Sequence, residues 1–189
     1  QPHLKIELIE MSTKDQIQSL KEGRIDVGFG RLRISDPAIR RVLLREEPLM
    51  VAVHSSHPFA LHTAGVYLAD IVEENLFIYP SQAKPNFSTQ VRGLFSEHGL
   101  DPKNLKEVRE IQLALGLTAA GEGICVVPRS AKTIQLPHLH FIPLLDDAAV
   151  SPIFLALRSM DESEDIHSLF DCIYQVYDLE AIKYDRAVI

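Results

Sequence analysis

An arginine directly after a glycine-rich strand end is well suited to holding an anion, and Gly28-Phe29-Gly30-Arg31 has that form. A guanidinium fork can grip a carboxylate by two parallel hydrogen bonds. Placed at the carboxyl end of a parallel strand, where open α/β sheets bind ligands, Arg31 is positioned to do so. A solvated surface arginine fits equally, and the segment alone leaves both readings open. Two further stretches carry related chemistry. Ser12-Thr13 opens a helix and brings hydroxyls together with the N–H groups of a first turn. Pro85-Asn86-Phe87-Ser88 does the same at a second helix start. Two helix starts on different lobes, facing one cleft with an arginine, suit a small dicarboxylate.

Other candidates are weaker. His54-Ser-Ser-His57 and His138-Leu-His140, the latter read as two imidazoles on one strand face, have no acidic or thiol partner at legible spacing, so no metal site is expected. There is no nucleophile elbow, Walker loop or dinucleotide fingerprint. No nucleophile–base–orienter set can be named, so the chain is not expected to be an enzyme. The acidic run Asp161–Asp165 lies at a helix start and complements the helix dipole. Cys125 and Cys172 both sit among apolar residues and read as buried free thiols.

The elements that must position these groups follow from periodicity. Leu4–Ile9 alternates apolar and polar, as a strand does. Thr13 and Gln16 fit a capping box, with Ile17 and Leu20 on one helical face and Gly23 as the stop. Ile25–Phe29 reads as the next strand, so the chain is expected to open strand, helix, strand, with the strands parallel. Arg41–Arg45 and Leu49–His54 read as two strands separated by Glu46-Glu47-Pro48. Residues 55–74 are mostly loop with a short helix, and Leu76–Tyr79 is a strand. Phe87, Val91, Leu94 and Phe95 form an amphipathic stripe ended by Gly99. Leu105–Val108 is a strand, and Ile111–Ala120 reads as a buried helix. Strands follow at Ile124–Val127, Leu139–Ile142 and Ile153–Leu157, and Ser163–Ala181 is the last helix.

Strands and helices alternate, which makes the class α/β. Breaks at Glu46–Pro48 and Asp146–Pro152 suggest two lobes joined by two crossings: residues 1–46 with 152–189, and residues 47–151. The chain has 189 residues, 46% of them hydrophobic, with net charge −7. An acidic balance argues against this chain itself gripping nucleic acid. No apolar run is long enough for a membrane span. The chain opens on Gln1 with no signal peptide, and is read as a piece of a longer cytoplasmic protein.

Glu10–Lys14, Leu20–Arg31, Ile34–Ile39, Lys84–Ser88, Glu107–Glu110 and Gln112–Leu117 resemble the effector-binding domain of LysR-type transcriptional regulators. The likeness is strongest to the muconate- and benzoate-responsive branch that controls catechol and benzoate catabolism, and runs over essentially the whole chain. The resemblance implies two Rossmann-like lobes, as in type 2 periplasmic binding proteins, with cis,cis-muconate between them. Thr13, Arg31 and the Asn86-Phe87 backbone would hold its carboxylates, and Pro85 and Phe87 would line the cleft. A second, apolar benzoate pocket in the first lobe would match Leu44, Arg45, Glu47, Arg109, Glu110 and Tyr177. The charged members of that set could equally form a structural ion-pair cluster.

The resemblance further implies no cofactor, a homotetramer in the full-length protein, and DNA binding only through an N-terminal helix-turn-helix that this chain lacks. The family domain normally begins with one more strand and helix, which would lie before Gln1. Ser12 stands where the branch is expected to carry glycine. A solute-binding transport protein of the same architecture is the rival reading.

Overall fold

The computed structural model describes residues 5–81 and 84–186. Its elements run α1 (Thr13–Lys21), β1 (Val27–Gly30), β2 (Ile39–His54), β3 (Asn75–Ile78), α2 (Phe87–Glu97), β4 (Asn104–Glu107), α3 (Ile111–Ala119), β5 (Ile124–Pro128), β6 (Leu139–Pro143), β7 (Val150–Arg158) and α4 (Glu164–Leu179). Short 3-10 turns occupy Pro58–Leu61, Leu68–Ile71 and Arg129–Thr133. The class is α/β. The chain divides into two compact units, residues 1–42 with 154–189, and residues 43–153.

In the second unit, β2 is flanked by antiparallel β5 and β6, and β3 lies parallel to both β5 and β4. Successive side chains of a strand point to opposite faces, and here both faces are apolar. Leu49, Val51, Val53, Leu76, Ile78, Ile124 and Val126 pack against Val91, Leu94 and Phe95 of α2. The intervening Met50, Ala52, Phe77, Tyr79, Cys125 and Val127 pack with Ala114 and Leu115 of α3. A sheet covered on both faces explains why these strands read as continuous apolar runs.

In the first unit, β1 pairs antiparallel with β7, matching Gly30 to Phe154 and Val27 to Leu157. Leu20 of α1, Ile39 and Ala156 form a buried cluster, with Ile17 and Ile25 against it. α4 buries Ile166, Phe170 and Tyr174.

Several sequence expectations need correction. Lys5–Glu10 is coil, and Leu4 lies outside the described residues. Ile6 and Leu8, the apolar members of the alternation, are both exposed. With no described strand beside it, the segment has no face to bury. The opening strand–helix–strand unit is therefore not seen among the described residues, and β1 is antiparallel to its neighbour β7. β2 is one strand, not two. Pro48 is exposed and sits one residue before the pairing with β5 begins at Leu49, so its missing N–H takes no donor from that pairing. α3 buries only Ala114, Leu115 and Thr118, and Leu113 is 47% exposed.

Cys125 is buried, and loss of solvation pushes its thiol well above the ordinary range. Cys172 is exposed, because it lies between Phe170 and Tyr174 in sequence and so points away from the buried stripe of α4. His138 has φ +63 and precedes β6, so it does not share a strand face with His140. It lies instead 5.6 Å from the His54 ring.

Candidate functional site

In the first unit, Ser12 rather than Thr13 caps α1. Its Oγ accepts from the Asp15 N–H at 3.2 Å and donates to the Asp15 carboxylate at 2.6 Å. This frees Thr13, the first helical residue, to present its hydroxyl elsewhere. That hydroxyl lies 3.8 Å from the point where a Cβ on Gly30 would stand. Gln16, one turn on, donates from Nε2 to the Phe29 carbonyl at 2.8 Å and ties α1 to the end of β1. Gly28 leaves room for this arm, since a Cβ there would come within 2.7 Å of Gln16 Oε1. Arg31 follows directly in the chain, half-buried, with one terminal guanidinium nitrogen shielded from solvent. Thr13 and Gly30 thus meet where α1 begins and β1 ends, and Arg31 is the next residue in the chain.

In the second unit, Asn86 is the N-cap of α2 and is 8% exposed. Its Oδ1 accepts from the Thr89 N–H at 3.1 Å and the Ser88 hydroxyl at 2.7 Å, and its Nδ2 donates to the Pro80 carbonyl at 2.9 Å. The Asn86 N–H donates to Thr89 Oγ1 at 3.3 Å. One asparagine therefore fixes both the loop and the helix start. Phe87 and Ser88 head the helix, where N–H groups have no intrahelical acceptor. Pro85 is exposed and follows a cis bond, and the Phe87 ring lies 5.3 Å from Tyr79. Lys84 and Arg92 close on the Glu107 carboxylate at 2.7 and 2.9 Å. Those hydrogen bonds, Lys84's first, hold its pKa below the usual carboxylate range.

The second set of residues is distributed differently. Leu44, Arg45, Glu47, Arg109 and Glu110 belong to the second unit and Tyr177 to the first. Leu44 is fully buried. Glu47, 2% exposed, accepts from the Ser130 N–H at 2.6 Å and faces Arg45 at 4.0 Å. Arg109 and Glu110 are exposed at the start of α3. Tyr177 belongs to a tyrosine group with Tyr174 and Tyr184, at 6.5 and 5.5 Å between ring centres.

Ser12 as the cap and Gln16 as the strap were not foreseen as such. Both follow from shifting the cap by one residue, which makes Asp15 rather than Gln16 the third helical residue. His57 caps a 3-10 turn through the Phe59 N–H and approaches Glu74 at 3.5 Å, a structural role. Among the described residues no group of three or more His, Cys, Asp or Glu could hold a metal ion.

Residues 1–178 match the LysR substrate binding domain. The chain belongs to this family. This LysR domain is 58% identical over 180 residues to the HTH-type transcriptional regulator BenM of Acinetobacter baylyi, covering 95% of the chain and 59% of BenM. It is 38% identical over 177 residues to the probable cat1 operon transcriptional activator of Acinetobacter lwoffii, covering 93% of the chain and 58% of that protein. The LysR domain thus spans less than two-thirds of the length of these relatives. Among solved structures it resembles the BenM effector-binding domain with its effector benzoate, with TM-score 0.96, 56% identity, and coverage of 100% of this chain and 85% of that one. No described helix is long and apolar enough to cross a membrane.

Proposed function

We propose that this LysR domain senses a small carboxylate effector, cis,cis-muconate or a relative, for a transcriptional regulator of catechol and benzoate catabolism. The observation that carries the reading is the 58% identity to BenM across nearly the whole chain, alongside the likeness to a BenM domain that holds benzoate. The residues support it. Thr13 and Arg31 provide a hydroxyl and a guanidinium on one unit, and the N–H groups at the start of α2 provide donors on the other. The effector acts by favouring one arrangement of the protein over another, and it can shift that balance only by its differential affinity. DNA contact and assembly into a homotetramer belong, in this reading, to the longer protein. Leu44, Arg45, Glu47, Arg109, Glu110 and Tyr177 are proposed as a second effector site for benzoate.

Calorimetric titration of the intact protein with cis,cis-muconate and with benzoate tests this. Heat and a raised Tm with muconate are expected. No heat and no change in Tm at millimolar effector overturns the effector reading.

A further inference from the structure

The side chain of Arg41 ends at the same place as that of Thr13. It starts on β2 and lies across β7, the strand that separates β2 from β1. Its guanidinium carbon sits 4.7 Å from the centre of the Phe154 ring, and Phe154 is the register partner of Gly30. Beyond the ring, Arg41 Nη2 reaches to 3.7 Å from the point where a Gly30 Cβ would stand. Thr13 Oγ1 and Gln16 Oε1 approach that point to 3.8 Å each. The bare Cα of Gly30 is therefore the floor of a small polar cradle with Arg31 next to it in the chain.

Among the described residues no carboxylate pairs with this cation. Arg41 Nη1 donates to the Ile34 carbonyl at 3.3 Å, while Nε is shielded and makes no hydrogen bond among the described residues. Burial alone acts on its pKa, lowering it, and no carboxylate shifts it back. Arg41 is half-buried, where a charge gains from a counter-charge, and stacking on an aromatic face holds a guanidinium in place.

We propose that Arg41 is a second guanidinium contact for the carboxylate that Thr13 and Arg31 receive, with Gly30 as the open floor of that seat. This rests on the effector reading above. Phe154 serves as the platform that carries the guanidinium across β7. The seat then distinguishes a carboxylate from its ester or amide, because only the anion answers two cations.

The test is muconate titration of the intact wild-type protein, Arg31→Ala, Arg41→Gln, Arg41→Lys and Gly30→Ala, at several salt concentrations, with the Tm of each unliganded protein. Arg41→Gln should weaken binding about ten- to a hundredfold, the loss expected for one charged hydrogen bond. Its affinity should also depend less steeply on salt. Arg41→Lys should fall between it and wild type. Gly30→Ala should bind at least as poorly as Arg41→Gln with an unchanged Tm, since its methyl meets only ordinary contacts at 3.7–3.8 Å yet fills the cradle. Wild-type affinity in Arg41→Gln or in Gly30→Ala overturns the proposal, as does a loss in Arg41→Gln with undiminished salt dependence. If wild type binds and Arg31→Ala is weakened while Arg41→Gln is not, only the Arg41 assignment fails. A wild type that gives no heat overturns the effector reading and this one with it.

Discussion

The proposed site asks two different things of Arg31 and Asn86. Asn86 contributes through geometry: its side chain is committed to capping α2 and holding the Pro80 carbonyl, and what it offers a ligand is a well-oriented helix start. Arg31 would contribute charge. Arg31→Ala should therefore cost about 1.5–3 kcal/mol in muconate affinity, measured by titration calorimetry. Unchanged affinity would return Arg31 to the role of surface decoration. The two helix starts were legible in the sequence because capping depends on local chemistry. Local chemistry could not find Arg41, whose relation to Thr13 exists only once β7 lies between β1 and β2 and the arginine crosses Phe154.

At the scale of elements, amphipathic stripes were the legible part. The α2 stripe at Phe87, Val91, Leu94 and Phe95 packs on the sheet as its spacing implied. Phe95, 1% exposed at the centre of that contact, should lose about 3–5 kcal/mol on replacement by alanine, read from urea denaturation. Alternation was less informative, because period two shows that a segment can be a strand but not that a partner is present; Lys5–Glu10 has the pattern and remains coil. Pro48 was misleading for the opposite reason, since its effect on β2 depends on whether the ladder needs a donor there. The start of α2 is held to the end of β4 by Lys84 and Arg92 closing on Glu107. The folded pKa of Glu107 is lowered from 4.5. Its contribution to stability is therefore complete above the usual carboxylate range and is lost as pH falls from there through the lowered folded value. The fall in denaturation midpoint across that acid window should be shallower in Glu107→Gln than in wild type. The difference should shrink in high salt, as it does for partly exposed pairs.

At the scale of the whole molecule, the class was readable from the alternation of strands and helices, and the family from stretches such as Gly28–Arg31 and Lys84–Ser88. A sensing role has a global thermodynamic consequence that does not depend on any one contact. A ligand that binds only the folded state at a hundred times its Kd stabilises by about 2.7 kcal/mol. For a region of this size that raises Tm by roughly 5–10 °C. Scanning calorimetry with and without muconate measures it, and a Tm that stays put at saturating ligand contradicts binding to the folded form.

The first unit is made from two separate stretches of sequence, with the second unit inserted between them. This sets an order of events during synthesis. Domains fold as units while the chain emerges, so the inserted unit is whole as soon as Ile153 has left the ribosome. Leu20 and Ile39 were made long before, but Ala156, which completes their buried cluster, comes after all of it. The earlier stretch of the first unit must therefore wait, apolar side chains uncovered, until β7 has been translated. During that interval it is the part of the molecule most in need of a chaperone.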